Sequence, residues 1–155
     1  IYDSDADFAS IYMGTHRDYA CSGFVVPEKV QDEEVAATIY AFVADGDPEY
    51  SSPGAHPHGD CLTLNDTELL SEYGKNNGIP AYNTWDSRSE LCSNEGVDVE
   101  TFKVLWDDHL IEEGDTSADV TMWAADPSDG IVVVYIVMSF RSELSTSGAL
   151  SYRIK

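Results

Sequence analysis

The chain has few basic residues. It contains eight Lys and Arg against 29 Asp and Glu in 155 residues, which gives a formal net charge of -21. Such a deficit makes non-specific attraction to phosphate backbones or anionic membranes weak. We therefore expect no binding to RNA or to a membrane, although a small recessed site could be locally positive. The same acidity is also typical of halophilic proteins, which leaves that class open as a minor alternative.

Long apolar runs are also absent. No stretch approaches the roughly 20 apolar residues that a membrane-spanning helix needs. Hydrophobic residues make up 43% of the chain and aromatic residues 11%, too many for a wholly disordered protein. The length predicts one domain, residues 1–155, which we expect to be soluble and monomeric. Because Ile1 is not an initiator methionine, we expect a processed N-terminus.

Cysteine is scarce and follows no metal-binding pattern. Cys21, Cys61 and Cys92 form no CxxC pair and show no zinc-ligand spacing. Three cysteines permit one disulfide and one leftover thiol, which suits a secreted protein. A bridge between Cys61 and Cys92 would close the intervening loop, but sequence alone cannot decide the pairing. The glycosylation sequon that begins at Asn65 is compatible with secretion, and whether it is used stays open.

The clearest pattern lies between Tyr19 and Ala44. A short apolar segment leads to Pro27, a residue suited to the first position of a helix, and acidic residues follow where a helix dipole favours them. An apolar stripe with the spacing i, i+4, i+7 and i+8 comes next. It consists of Val35, Ile39, Phe42 and Val43. The pattern predicts a strand, a tight connection and one amphipathic helix that ends before Asp45.

The remaining segments mostly predict strands. Residues 99–105 form one candidate, and residues 118–125 and 131–140 predict a hairpin around the turn 126–130. The second arm of this hairpin is apolar on both faces, so we expect it to be a central strand. Residues 8–12 and 19–26 predict a first strand or a hairpin around Gly14, and residues 150–154 predict a last strand.

Residues 59–98 are polar and predict a long loop insertion. Within it, Asn65 or Asp66 is expected to cap a short helix that runs through Tyr73 and ends around Gly74 to Gly78. The expected fold class is therefore α+β, with one α-helix packed on an antiparallel β-sheet and a loop insertion at 59–98.

Three groups of polar residues suggest a metal site or an acid–base site, but each lacks part of what such a site needs. His56 and His58 would share one face of an extended segment, but no third ligand accompanies them. Asp107 and Asp108 precede His109, and consecutive side chains on a strand face different ways, which favours a solvated edge. The alternating Asp3, Asp5 and Asp7 lack the glycine and closing glutamate of a calcium loop. We predict no metal and no cofactor.

A resemblance emerges from the order of these segments. Tyr19-Ala20-Cys21, followed by Gly23, Pro27-Glu28 and an alanine-rich segment ending Tyr40-Ala41-Phe42, is similar to ribonuclease-like effectors secreted by powdery mildew fungi, which carry a Tyr-x-Cys motif. Pro57-His58 lies where the related fungal ribonucleases carry Pro-His. Two further segments, 102–104 and 118–120, resemble strands of those enzymes. The resemblance implies a microbial ribonuclease fold and secretion.

The family's disulfide does not transfer simply to this chain. The resemblance implies a bridge from the Tyr-x-Cys cysteine to one near the C-terminus, but no cysteine follows Cys92. The partner of Cys21 therefore stays open.

The family's chemistry transfers poorly. Cleavage of RNA through its own 2′-hydroxyl needs a base, an acid and a cation over the phosphate. Of the four positions that the resemblance implies, only His58 matches. Thr101 stands at the glutamate position, with Glu100 next to it on the opposite face of a strand, while Val120 and Val134 replace an arginine and a histidine. Each positioned acid or base contributes about 100- to 10,000-fold, so we expect a pseudo-ribonuclease without catalysis.

The function expected from these observations is that of a secreted, catalytically inactive effector that binds a host protein, with a plant immune receptor as one candidate and delivery into host cells as one route. No catalytic residue is expected beyond the remnant His58. The alternative is a secreted ribonuclease or other hydrolase that uses His58 and Glu100, or one that uses His109 and its acidic neighbours. The acidic surface would attract a basic protein patch more readily than RNA.

Overall fold

The computed structural model describes residues 11–13, 16–44, 60–86, 97–124 and 130–140. In this part of the chain the protein is mostly antiparallel β-sheet with one short helix, which is α+β in a loose sense. The elements are β1 Ile11–Met13, β2 His16–Ser22, β3 Val35–Ala44, β4 Cys61–Leu64, β5 Thr67–Glu68, α1 Glu72–Asn77, β6 Val97–Leu105, a 3-10 turn Trp106–Asp108, β7 Ser117–Trp123 and β8 Gly130–Phe140. Within these residues no helix is long and apolar enough to cross a membrane.

The strands form two four-stranded sheets. The first has the order β1-β8-β3-β6 and the second β2-β7-β4-β5, and the neighbouring strands run antiparallel. One hydrophobic core contains side chains from both sheets, including Ile39 and Phe102 from the first and Leu62 and Val120 from the second. Each sheet therefore buries one face in this core.

The predicted helix between Pro27 and Ala44 is wrong, because Val35–Ala44 is strand β3. Its side chains alternate in burial, with Ile39 and Ala41 inside and Tyr40 outside. Positions i, i+4 and i+8 are even steps apart, so an apolar stripe at those positions fits a strand as well as a helix. The β-branched and aromatic residues in this segment favour the strand.

The predicted hairpin of residues 118–125 and 131–140 is wrong, and so is the hairpin alternative around Gly14, although strands β1, β2, β7 and β8 lie in these segments. β7 and β8 lie in different sheets, and so do β1 and β2. Trp123 at the end of β7 pairs with His16, whereas Gly130 at the start of β8 pairs with Met13. The predicted interior position of β8 is confirmed, since this strand lies between β1 and β3. Alternation predicts a strand, but it carries no information about the partner.

The segment predicted as a loop insertion contributes directly to the second sheet. β4 lies between β7 and β5, so the described part of residues 59–98 is not a loop appended to the fold. Asn65 and Asp66 do not cap a helix, because they form the tight turn between β4 and β5, with positive φ values of 48° and 65°. Asn and Asp tolerate this left-handed conformation better than most residues.

The short helix exists but begins later than predicted. Ser71 is its N-cap, and the Ser71 hydroxyl accepts a hydrogen bond from the Gly74 N–H at 2.9 Å. Gly78 ends it at a φ of 71°, as the predicted glycine signal requires. The helix lies against β6, the strand predicted at 99–105, which the structure confirms and extends to Val97.

Several predicted features lie outside the described residues. They are the acidic residues Asp3, Asp5 and Asp7, the histidines His56 and His58, Cys92, the turn 126–129 and the last strand at 150–154.

Candidate functional site: an uncharged aromatic sheet face

The outer surface of the first sheet exposes a set of aromatic, aliphatic and hydroxyl side chains. Alternate residues of β3, β6 and β8 face the core, so the residues between them point outward. We call this surface the tyrosine face. It consists of Thr38, Tyr40, Phe42, Val99, Thr101, Tyr135, Val137 and Ser139.

Strand register brings the large side chains of the tyrosine face together. Tyr40 lies opposite Val137 on β8, and Phe42 lies opposite Tyr135. The rings of Phe42 and Tyr135 meet edge to face, with 5.5 Å between their centroids. Tyr40 and Tyr135 are each 43% exposed, and Val137 is 38% exposed. The face is therefore a contiguous surface that solvent reaches.

The eight residues of the tyrosine face include no Asp, Glu, Lys or Arg, although the chain contains 29 acidic residues, and the charged side chain next to them on the outer side of β6 is Lys103, opposite Thr38. Its centre is also rigid, because β3 has a hydrogen-bonded neighbour on each side and β8 does as well. Side chains mounted on paired strands are held in place more firmly than side chains on loops. The surface combines exposed rings, hydroxyl groups and a fixed backbone.

One end of the tyrosine face is acidic. Val35 at the start of β3 pairs with Leu105 at the end of β6, which places Glu34 and the following 3-10 turn at this end. The Trp106 N–H donates a hydrogen bond to the Glu34 carbonyl at 3.0 Å. The next side chain along the turn, Asp107, is 95% exposed and lies 3.6 Å from the Lys29 ammonium.

Helix α1 borders the face at β6 through an ion pair. The Lys103 ammonium, on the outer side of β6, lies 2.8 Å from a Glu72 carboxylate oxygen, and Lys75 lies 3.0 Å from the other oxygen. Hydrogen bonds from Lys103 and then Lys75 lower the pKa of Glu72. The Lys103 charge beside the face is therefore neutralised by Glu72.

Among the described positions that the ribonuclease resemblance implies, Glu100 and Val120 lie in the core and Thr101 faces outward. Glu100 lies on the core side of β6 and is only 1% exposed, whereas Thr101 faces outward, so the predicted opposite orientation of these two residues is confirmed. Val120 is fully buried in the core from β7. Val134 lies in β8, and His58 lies outside the described residues.

In the acidic segment around His109, the side chains of Asp107, Asp108 and His109 have three different partners. His109 ends the 3-10 turn at a φ of 55°, and its Nδ1 atom lies 3.4 Å from Glu112 Oε1 on the surface. Asp107 contacts Lys29, while the Asp108 carboxylate accepts the Leu105 N–H at 3.0 Å. Across the described ranges no group of three His, Cys, Asp or Glu residues could hold a metal ion.

Cys61 is a buried free thiol, and Cys92, with which the sequence permits a bridge, lies outside the described residues. Burial raises the pKa of the Cys61 thiol strongly, and the nearby carboxylates of Glu68 and Asp60 raise it further. A thiol in this environment stays protonated at neutral pH and is a poor nucleophile. Cys61 acts as a packed core residue at the start of β4.

The sequence prediction missed the tyrosine face for a structural reason. Its members come from three strands that are far apart in the chain, and β3 was predicted as a helix. A signal was nevertheless present, because the outward positions of β3 and β8 carry Tyr, Phe and Val where a solvated strand usually carries charge. Comparisons with protein-family models, with curated proteins and with solved structures each found no match.

Proposed function

We propose that this protein is a non-catalytic binding protein that docks a partner protein on its tyrosine face. The observation that carries the proposal is the contiguous, uncharged and exposed aromatic surface around Tyr40, Phe42 and Tyr135. Protein interfaces have centres that are enriched in aromatic residues and depleted of charge. Contiguous exposed apolar surface of this kind marks interaction sites in soluble proteins.

The burial of Glu100 supports a role in binding over a role in catalysis. A general base must come within hydrogen-bond reach of the proton that it removes. Glu100 is 1% exposed on the core side of β6, so a substrate at the surface cannot reach it. This position disfavours the alternative of a ribonuclease or hydrolase that uses His58 and Glu100.

The proposed setting is secretion, with a host protein as partner and a plant immune receptor as one candidate. Support for this setting comes from the sequence motif Tyr19-Ala20-Cys21. The helix that accompanied this motif in the sequence prediction is strand β3, so the motif alone supports this setting.

Affinity capture with matched variants tests the binding role. Tyr40→Ser combined with Tyr135→Ser removes both exposed rings, and Val25→Ser is the control because Val25 is 69% exposed outside the tyrosine face. We expect a partner protein that is retained by the wild type and by the control but is lost with the double variant. Retention of the same proteins by all three forms would contradict the proposal.

An RNA cleavage assay tests the catalytic alternative. Purified protein is incubated with structured and single-stranded RNA, beside His58→Ala and Glu100→Gln. We expect no cleavage above the background of the variants. Cleavage by the wild type that His58→Ala abolishes would refute the non-catalytic proposal.

A further inference from the structure

We propose that the tyrosine face binds an arginine-rich segment of the partner protein. This inference rests on the proposed function and adds the chemistry of the partner. The first argument is charge, because the chain has a net charge of -21. Complementary potentials accelerate the encounter with a cationic partner, and like charges oppose the approach of a second copy of the chain.

The described lysines leave little positive charge for an anionic partner. Each of them lies beside a carboxylate: Lys29 is 3.6 Å from Asp107, and Lys75 and Lys103 are 3.0 and 2.8 Å from Glu72. The negative surface is therefore not offset by free cations near the tyrosine face in the part of the chain that the structure describes. A cationic segment meets attraction from the surrounding acids, and the one outward lysine next to the face, Lys103 opposite Thr38, is paired with Glu72.

The exposed rings distinguish arginine from lysine. A planar guanidinium stacks on aromatic faces, loses hydration easily and keeps several N–H donors for nearby hydroxyl groups. A lysine ammonium is a compact and strongly hydrated charge. Tyr40 and Tyr135 offer partly exposed rings, and Thr101, directly opposite Tyr40, offers a hydroxyl acceptor. Because no carboxylate lies among these rings, stacking and not ion pairing decides the preference, and stacking favours arginine over lysine.

The spacing of the two tyrosines suits an extended segment. Tyr40 pairs with Val137 and Tyr135 lies two residues away on the same strand, so the two tyrosines are diagonal neighbours, about 7–8 Å apart in standard sheet geometry. Residues i and i+2 of an extended chain lie about 6.5–7 Å apart and point to the same side. An Arg-x-Arg pair in an extended segment therefore matches the two rings.

The acidic end of the face supplies a rim for further cations. Glu34 and Asp107 lie at the end where β3 begins and β6 ends, and both side chains are exposed. Exposed rim charges mainly raise the association rate and the salt dependence of binding. The rings would then set the preference for arginine, and the rim would set the electrostatic attraction.

A titration with synthetic peptides tests this assignment on the full chain. The probes are peptides of about eight residues with alternating Arg and Ser, or alternating Lys and Ser, which carry equal charge on extended chains. We expect the arginine peptide to bind at least about tenfold more tightly than the lysine peptide, because only guanidinium groups stack well on the rings. The preference should persist when salt is raised, while both affinities fall.

Variants of the face test whether the preference for the arginine peptide depends on the two tyrosine rings. Tyr40→Ser with Tyr135→Ser should reduce the arginine affinity to that of the lysine peptide, whereas Tyr40→Phe with Tyr135→Phe should keep the preference because the rings remain. Glu34→Gln with Asp107→Asn, the two exposed acids at the acidic end of the face, should weaken both peptides equally. Thermal melts of every form verify that the fold is retained.

Several outcomes would overturn the inference. Equal binding of both peptides by the wild type would show that charge alone attracts them. Preferential binding of neutral oligosaccharides, or self-association that the serine variant abolishes, would assign the face to another occupant. A face-dependent protein partner without arginine preference would refute this inference and leave the proposed function standing. If no ligand binds in a way that depends on the tyrosine face, both this inference and the proposed function are refuted.

Discussion

Asn65 connects three parts of the fold through one side chain. Its Nδ2 atom donates a hydrogen bond to the Leu110 carbonyl at 2.7 Å, and its Oδ1 atom accepts the Asp119 N–H at 2.9 Å. Its backbone N–H also donates to the Asp119 carbonyl at 2.8 Å. The turn between β4 and β5 is thereby fastened to β7 and to the segment before it. The nitrogen that a glycan would modify is already a structural donor.

Replacing Asn65 should destabilise the fold. Asn65→Ala removes both side-chain hydrogen bonds and places alanine at a φ of 48°, so we expect a loss of about 2 kcal/mol in the free energy of unfolding. Asp66→Asn is the matched control, because asparagine also tolerates the left-handed turn and Asp66 is exposed. Urea unfolding measures both variants. Equal midpoints for the two would show that the Asn65 contacts contribute nothing.

At the scale of the element, the apolar spacing in strand β3 predicts a helix where the structure has a strand. Val35, Ile39 and Val43 lie four residues apart and fit both a helix and a strand, so within the apolar stripe only Phe42 favours the helix. In the structure Phe42 points outward, where it meets Tyr135. Ala41 beside it points to the core side and is 0% exposed, as alternation along a strand requires.

Two adjacent substitutions separate a strand from a helix in this segment. Ala41→Lys places a charge at a position that is 0% exposed, so we expect a loss of about 4 kcal/mol or more. Tyr40→Lys changes a side chain that is 43% exposed and should cost no more than about 1 kcal/mol. Chemical denaturation gives both values. A helix would tolerate both substitutions, because residues 40 and 41 lie away from its apolar stripe.

The ion pair between α1 and β6 should stabilise the fold at neutral pH and lose this effect in acid. Lys103 and Lys75 lower the pKa of Glu72 in the folded state, so the stabilisation exists above the pKa of unfolded glutamate and disappears as the pH falls through the lower folded value. Both side chains are partly exposed, which limits the contribution to less than about 1 kcal/mol.

A comparison of two lysine variants at two pH values measures this contribution. Lys103→Met should unfold at lower urea concentration than the wild type at about pH 7, and the difference should shrink towards about pH 3. Lys29→Met is the control, because its partner Asp107 is 95% exposed and lies 3.6 Å away. A difference that grows as the pH falls would contradict the assignment.

At the scale of the whole molecule, the sequence patterns predict where strands lie better than they predict which strands pair. The β-branched runs of β6, β7 and β8 were recognised, as was the Gly78 end of α1. The sheet to which each strand belongs was not predicted. Alternation specifies which face of a strand is buried, but it does not specify which strand pairs with it. The tyrosine face could not be predicted for the same reason, since it exists only once β3, β6 and β8 are neighbours.

Salt should stabilise the molecule as a whole. A net charge of -21 produces self-repulsion in the compact state, and the screening length falls from about 10 Å at 0.1 M salt to about 3 Å at 1 M. We therefore expect the melting temperature to rise by several degrees between these salt concentrations. An unchanged or lower value would contradict the electrostatic argument. A chain that folds only in molar salt would instead favour the halophilic interpretation that its composition also permits.

Amide chemical-shift mapping tests most directly whether the tyrosine face is a binding surface. The isotope-labelled protein is titrated with the arginine peptide or with a captured partner. We predict perturbations concentrated at residues 38–42, 99–103 and 135–139, with the outer residues of β2 and β7 unchanged. Perturbations spread over the exposed acids of the 106–115 segment and β7, with none on the tyrosine face, would contradict the proposed binding role.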